Sequence, residues 1–398
     1  MKLIERDFYL NKLIRIKNTP DIKVITGIRR CGKSKLMEAF IEYLKKSEPE
    51  SNIIHLNFNS QENEYLTEYH ALHKYINELY KKEKNNYLLI DEIQLCNGFE
   101  KAINSLHSSE KFDIYITGSN AFLLSSDLAT LFTGRTFEIK IYPFSFSEYL
   151  KYFNYKDKYQ ALKKYINEGG MAGSYLYDDE DDKYSYIKEV FETLIIRDIK
   201  NKYKIRNISL LERLSDFLMD NISNQTSERG IADTLTSKKI TVNNKTISSY
   251  LKYLCNAFAF YRIRRYDIQG KKYLSSSDKY YLCDHTFKYA KLGRKNLNIG
   301  RTLENIVAIE LLRRGYEIYT GILYKKEIDF VALKRNEKIY IQVANSFEEQ
   351  ETLNREIEPL LKIKDAYPKI IITRTEEETY DINGIKIYDA SNWLLQEQ

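Results

Sequence analysis

Cysteine, proline and tryptophan are scarce in this chain: its 398 residues include four Cys, five Pro and one Trp. The cysteines, Cys31, Cys96, Cys255 and Cys283, lie far apart. No CxxC or Cys/His spacing joins them, which argues against zinc-finger patterns and a disulfide framework. A reducing, cytoplasmic setting is the expectation. Long apolar runs are missing as well. No stretch approaches the roughly 20 residues that a membrane-spanning helix needs, so no membrane partner is expected. The N-terminal MKLIERDFYLNKLIRI carries charge throughout and lacks the apolar core of a secretory signal. No proline occurs between 144 and 358, so no Pro-rich linker separates the later domains.

What is present is an ordinary globular composition. Hydrophobic residues make up 43% and charged residues 30%, which places the chain among packed proteins rather than disordered ones. Its length exceeds one typical domain, so two or more cores are expected. Thirty-four tyrosines are spread everywhere and reflect a bias shared with Lys, Asn and Ile. The net charge of +6 is uneven. Lys245 to Arg301 holds thirteen Lys or Arg against three Asp, a surplus of ten that leaves the remainder at net −4. A basic segment in an otherwise acidic chain points to a polyanionic partner; a solvated helical face is the plain alternative.

Apolar periodicity predicts a short amphipathic helix over 5–17 and a strand over Asp21–Thr26. It predicts a helix over Ser34–Lys46, with Met37, Phe40, Ile41 and Leu44 on one face. A second strand is expected over Asn52–Phe58, then a helix over 64–82 with Leu72, Tyr75, Ile76 and Leu79 inward. Tyr87–Ile90 and Ile114–Thr117 read as further strands. Such alternation implies a parallel sheet covered on both faces.

Gly27-Ile28-Arg29-Arg30-Cys31-Gly32-Lys33-Ser34 matches G-x-x-x-x-G-K-[ST] in full, after a strand and at the start of a helix. Consecutive amide groups at a helix N-terminus form an anion nest, and Gly27 and Gly32 let the backbone approach a phosphate closely. Lys33 is expected at the β- and γ-phosphates of ATP and the Ser34 hydroxyl on Mg²⁺. The strand Tyr87-Leu-Leu-Ile delivers Asp91 and Glu92 to its end. Asp91 is the second candidate Mg²⁺ ligand. Glu92 is the candidate base that orients and deprotonates water. After the third strand comes Thr117-Gly-Ser-Asn120, where Asn120 is the candidate γ-phosphate or water contact and Ser119 the second choice. Arg135 is the candidate arginine for transition-state charge, with Arg29, Arg30 and Arg197 as others.

In this combination the first half resembles the AAA+ ATPases. It looks specifically like prokaryotic members with an uncharacterised C-terminal half. The family pattern appears here as Gly27–Ser34, Thr117–Ser119, Gly134-Arg135, Tyr142–Tyr149 (YPFSFSEY) and Gly169-Gly170. The resemblance covers nearly the whole chain. It implies ATPase activity and makes a homo-oligomer plausible, without supplying a substrate beyond ATP.

Residues 227–265 read as a helix-turn-helix with a wing. Ser227 caps a first helix holding Ile231 and Leu235. A second helix buries Ile247, Tyr250, Leu251 and Leu254 and turns Lys245, Ser248, Ser249 and Lys252 outward. Tyr261–Arg265, with Arg262, Arg264 and Arg265, reads as a basic strand. Nucleic acid is the partner expected for this region, with an oligomerisation module as the alternative. Residues 300–398 have an αβββαβ pattern. A helix over Thr302–Arg314 is closed by Gly315. Alternation places Asp329 opposite Ile328 and Phe330, and Gln342 and Ala344 opposite Ile339, Ile341 and Val343. With Glu304, this resembles the restriction-endonuclease-like fold, whose site reads Glu, Asp, then Glu/Gln-x-Lys. Ala344 stands where that pattern has lysine, and Gln342 is a weaker metal ligand than a carboxylate. A degenerate site at Glu304, Asp329 and Gln342, used for binding, is therefore expected.

The expected fold class is α/β. An AAA+ P-loop domain with a helical lid spans 1–205, a winged-helix-like domain 206–290, and a restriction-endonuclease-like domain 291–398. The expected function is a Mg²⁺-dependent ATPase whose cycle drives a DNA-associated C-terminal module. A slow ATP-gated protein-interaction switch and an ATP-regulated nuclease are the alternatives.

Overall fold

The computed structural model describes residues 6–118, 132, 134–237, 243–270, 272–294, 298–324, 326–346 and 350–396, with backbone only at 196, 197, 272–276 and 350–352. The chain divides into two compact units, Met1–Ile141 and Tyr142–Gln398. Among the described residues no helix is long and apolar enough to cross a membrane.

The first unit contains helices α1 (Asp7–Arg15), α2 (Lys33–Ser47), α3 (Tyr69–Glu78) and α4 (Phe99–Ser108). Its strands are β1 (Ile22–Gly27), β2 (Asn52–Asn57), β3 (Asn86–Asp91), β4 (Asp113–Thr117) and β5 (Thr136–Ile141). They form one sheet in the order β2-β3-β4-β1-β5, and every pairing is parallel. Parallel neighbours require crossovers, and helices supply them. β1 and β3 are buried along their full lengths, as strands covered on both faces must be. The helix expected over 64–82 is shorter. Gln61–Leu66 is a 3₁₀ turn capped by Ser60, and α3 ends at Glu78. Leu72 and Ile76 are buried as expected, whereas Leu79 lies beyond the helix and is exposed.

The second unit opens with helices α5 (Phe146–Phe153), α6 (Lys158–Glu168) and α7 (Glu180–Thr193), then a π-helical run at Leu194–Lys200. Helices α8 (Ile208–Asp220), α9 (Glu228–Ser237) and α10 (Asn244–Asn256) follow. Next come strands β6 (Phe260–Asp267) and β7 (Lys272–Leu282) and helices α11 (Thr286–Leu292) and α12 (Ile299–Arg313). The remainder is β8 (Glu317–Leu323), β9 (Lys326–Lys334), β10 (Glu337–Val343), α13 (Gln350–Leu361), β11 (Lys369–Thr373), β12 (Tyr380–Ile382), β13 (Ile385–Asp389) and α14 (Ala390–Leu394).

The divisions expected after 205 and 290 both lie inside this unit, for two physical reasons. The PFSF segment and its glycines are tied to later sequence. Gly170 pairs with Phe144, where a Cβ would meet the Phe144 oxygen at 2.3 Å. Its N–H donates to Asp284 at 2.6 Å, and Arg313 donates to the Pro143 carbonyl at 2.8 Å. The expected wing, moreover, is not a free hairpin. β6 pairs in parallel with β8, so β6 and β7 complete an eight-stranded sheet, β12-β13-β11-β10-β9-β8-β6-β7. Separate clusters cover its two faces, one around Phe330 and Ile341, the other around Ile328, Val331 and Tyr340. Ile328 therefore lies opposite Phe330, contrary to simple alternation. From Tyr319 to Gly321 the β8 strand takes two steps while β9 takes three, Val331 to Ile328. The extra residue is a β-bulge at Asp329–Phe330, which re-aims side chains there.

Candidate nucleotide-binding site

The loop after β1 lies at the C-terminal edge of the parallel sheet, where open α/β sheets bind ligands. Its backbone is wound by positive φ angles at Gly27 (+155°), Arg30 (+61°) and Gly32 (+100°). A Cβ at Gly27 would lie 2.4 Å from the Ile141 oxygen and 2.7 Å from the Cys31 sulfur, so only glycine fits. Ile28 and Cys31 are buried, Arg29 half-buried and Arg30 exposed. Burial pushes the Cys31 thiol above its ordinary pKa, so it packs as a neutral group. Lys33 opens α2 with Ser34 next to it. The buried Lys33 ammonium donates to the Gly27 and Ile28 carbonyls, at 3.0 and 3.2 Å. These two neutral contacts place a cation inside the loop.

Asp91 ends β3 and is 2% exposed. The register Ile90↔Ile116 and Ile25↔Thr117 brings Asp91, Thr117 and the loop to the same edge. The buried Thr117 hydroxyl links the acids. It donates to Asp91 Oδ1 and accepts from the Glu92 N–H at 3.2 Å. Glu92 adopts a left-handed backbone, φ 56°, which is unfavourable for a non-glycine residue and clusters at functional sites. The Gln94 amide donates to the Glu92 carboxylate. Gln94 carries no signal in the sequence, and the Thr-Gly-Ser pattern names Thr117 without giving it this role. Thr117 was visible there as the last residue of its strand, and parallel register puts it beside the acid of the neighbouring strand.

Other expected positions fare differently. Arg135 is exposed, and its carbonyl accepts from the Ile22 N–H at 2.9 Å, at the start of β1. Because β5 runs parallel to β1, Arg135 sits at the opposite edge from the loop, six strand steps or roughly 20 Å away. It cannot reach a phosphate held by its own loop. Asn120 and Ser119 lie outside the described residues. Arg197 belongs to the π-helical run of the second unit, and its side chain lies outside what is described.

Residues 19–150 match the family model of an AAA domain. A Haemophilus influenzae protein, itself named only as uncharacterised, is 41% identical and aligns over 99% of both chains. An uncharacterised protein of Methanocaldococcus jannaschii is 32% identical, covering 92% of this chain and 84% of its own. This chain belongs to the AAA+ family. A Walker-type ATPase of Pyrococcus abyssi shares the fold at TM-score 0.50 and 16% identity, covering 72% of this chain and 95% of its own. The first unit of this AAA+ protein is thus a nucleotide-binding P-loop ATPase domain. A domain of unknown function matches residues 159–298.

The second unit of the AAA+ protein brings Glu304, Asp329 and Gln342 together, on α12, β9 and β10, beside an open polar depression of about 810 Å³. The Gln342 carbonyl accepts the N–H that the bulge frees at Asp329, at 3.0 Å, and its amide donates to Glu356 at 2.8 Å. The Val343 N–H donates to Asp329 at 2.8 Å. A residue missed in the sequence, Lys279 of β7, enters the group. Its ammonium lies 2.8 Å from Glu304, 2.6 Å from Glu327 and 3.6 Å from Asp329. Tyr281 donates to Glu304 at 2.7 Å. Burial, then Glu304, holds the Asp329 carboxyl well above its ordinary pKa, against the lowering charge of Lys279. Burial alone would lower Lys279, but Glu304, Asp329 and Glu327 outweigh it and raise it. Among the described residues no group of three or more acidic, His or Cys side chains is arranged to hold a metal ion. Gln342 has both ends of its amide engaged, and a divalent nuclease metal does not fit this set.

Of the expected nucleic-acid contacts, Lys245, Lys252 and Arg264 are exposed and Arg265 is half-buried. Arg262 forms an ion pair with Asp278, which neutralises it.

Proposed function

We propose that this AAA+ protein hydrolyses ATP with Mg²⁺ and that its nucleotide cycle acts on a DNA-associated second unit. One observation carries the hydrolytic part. Glu92 is held in a strained left-handed conformation beside Asp91, at the edge that carries the phosphate loop. A nucleotide binder that only switches has no need of a second, backbone-strained acid there.

The loop amides of residues 28–34 would cradle the β- and γ-phosphates, and Lys33 would leave its two carbonyls for the stronger charge of the phosphates. Ser34 and Asp91 would hold Mg²⁺, which neutralises charge on the β- and γ-oxygens. Glu92 would take a proton from water as its oxygen bonds to the γ-phosphorus. The bond to the β,γ-bridging oxygen breaks, releasing ADP and phosphate. Thr117 keeps Asp91 and Glu92 in register. Thr117→Val keeps the shape and removes both hydrogen bonds. It is expected to lower turnover about tenfold, an effect of about 1.4 kcal/mol, with little change in KM; equal effects on kcat and KM would remove this role. If Arg135 serves a γ-phosphate, it does so in another copy of the chain.

The DNA part is supported by the basic surplus over Lys245–Arg301 and by the exposure of Lys245, Lys252 and Arg264. The Glu304 cluster is read as a folded element of a binding module, since Lys279 occupies its centre. Steady-state ATP turnover with and without duplex DNA, at several salt concentrations, tests both parts. Turnover should rise with DNA, the rise should fade with salt, and Lys33→Ala should abolish it. Full turnover by Lys33→Ala would remove the ATPase reading, and indifference to DNA would remove only the coupling.

A further inference from the structure

We propose that Arg6 is a positioning residue for nucleotide, fixing one amide donor of the phosphate loop from a point upstream of the whole motif. This rests on the ATPase reading above. Arg6 immediately precedes α1 and belongs to no phosphate-loop pattern. Its side chain is nevertheless 4% exposed, and arginine is almost never buried unless paired. Nη1 donates to the Cys31 carbonyl at 2.8 Å, across a separation of 25 residues. The guanidinium also lies 4.6 Å from the centre of the Tyr9 ring, itself buried on α1. α1 in turn packs on α2, the helix that the loop opens. Arg6 Nη1 is the neighbour that a Cβ on Gly32 would meet, at 3.7 Å. The guanidinium is thus seated between α1 and the Cys31–Gly32 stretch of the loop.

Peptide planarity converts that contact into an orientation. Across a trans peptide the carbonyl of residue 31 and the N–H of residue 32 point in opposite directions. Holding the Cys31 oxygen toward Arg6 therefore aims the Gly32 N–H away from the side that α1 covers. That is the side left for a phosphate. Rotation of this peptide is the soft point of the loop. Left-handed residues lie at both Arg30 and Gly32, and an anion nest exists only while its successive amides converge. A charge-assisted hydrogen bond to a buried carbonyl locks the peptide before nucleotide arrives. The bound state then does not pay for ordering it.

The test compares wild type, Arg6→Ala and Arg6→Lys in the full chain. A fluorescent ATP analogue measures binding, and steady-state turnover measures KM and kcat. Arg6→Ala is expected to weaken binding and raise KM about tenfold, with kcat within about threefold of wild type. Arg6→Lys keeps a buried cation that can donate to the same oxygen, and should bind within about threefold of wild type. It also covers the case in which Arg6→Ala does not fold. Unchanged KM in a folded Arg6→Ala overturns the proposal. So does loss of nucleotide binding in a folded Arg6→Lys, which would show that burial of arginine alone was required. Wild type that binds no nucleotide defeats the ATPase reading itself, a result separable from either of these.

Discussion

Lys279→Ala is expected to destabilise the second unit by about 3–5 kcal/mol, the usual result of breaking a buried ion pair from one side. The reason is an imbalance of charge. One ammonium, 3% exposed, stands among Glu304, Glu327 and Asp329. Glu304 and Asp329 are nearly as buried, at 9% and 8%. Among the described residues Lys279 is the cation paired with them, and burying unpaired carboxylates is costly. The position is also structural. Lys279 lies on β7, at one end of the eight-stranded sheet, so its loss loosens the strand that joins the helical segment to the rest. Urea unfolding followed by tryptophan fluorescence reads this directly. The chain has one tryptophan, Trp393, and it is buried in the second unit. A midpoint unchanged in Lys279→Ala would show that the cluster is solvated and contributes nothing.

The pH dependence of that deficit has a definite sign. The Asp329 carboxyl is already held above its ordinary value by burial and by Glu304, and Lys279 acts to lower it. A raised carboxyl means that the folded state binds protons more tightly than the unfolded one, so stability declines as pH rises through the shifted value. Removing Lys279 raises Asp329 further. The loss in Lys279→Ala should therefore be smaller at pH 5 than at pH 8. In the wild type, the raised Lys279 contributes stability fully below the ordinary lysine pKa. That contribution is lost only as alkali titrates the folded amine. Replacing Lys279, Glu304 and Asp329 together by Met, Gln and Asn should recover much of the stability, because the unpaired charges go with the ammonium.

Why Lys279 was invisible in the sequence and Lys33 was plain is a matter of distance along the chain. The loop from Gly27 to Ser34 is contiguous, and a strand and a helix on either side complete its meaning. Asp91 and Glu92 needed only one further inference, that an apolar strand delivers them to the same edge. Lys279 reaches Glu304 and Asp329 through the β6–β7 hairpin and one long-range pairing, β6 on β8. Nothing in YLSSSDKYYL announces those pairings. Its hairpin looked like a free wing because the β6 alternation fits a half-buried strand in either setting. The bulge at Asp329 was equally hidden. Alternation placed Ile328 with Phe330, and the extra residue put them on opposite faces. It also set the task of Gln342, which read as a weak metal ligand and in fact accepts a freed backbone N–H. Arg135 lies away from its own loop for a topological reason. Its Gly-Arg pattern is local, but parallel pairing of β5 with β1 fixes it at the end of the strand opposite the loop. Arg6 had no pattern at all, since its partner is a backbone carbonyl, a group that every residue possesses.

Glu92→Gln is expected to separate binding from chemistry. Glutamine keeps the length of the side chain and an acceptor oxygen, but it cannot take a proton. Nucleotide affinity should stay within a few-fold of wild type, because the phosphate contacts proposed above are those of Lys33 and the loop amides, not of Glu92. Turnover should fall by about 10²–10⁴-fold, the range for loss of a positioned general base. The backbone should tolerate the change, since the left-handed conformation at Glu92 is held by the Thr117 hydroxyl on its N–H and not by its carboxylate. The Gln94 contact sharpens the expectation. Its amide donates to the Glu92 carboxylate, and this contact must give way if the carboxylate is to face water. Gln94→Ala should therefore leave Glu92 at least as active, whereas a fall comparable to Glu92→Gln would make Gln94 part of the required geometry. Single-turnover measurements of phosphate release, alongside equilibrium nucleotide binding, decide the main point. A Glu92→Gln variant that binds ATP and still hydrolyses it at the wild-type rate would take the base role from Glu92. A variant that no longer binds would place the residue in the phosphate site itself.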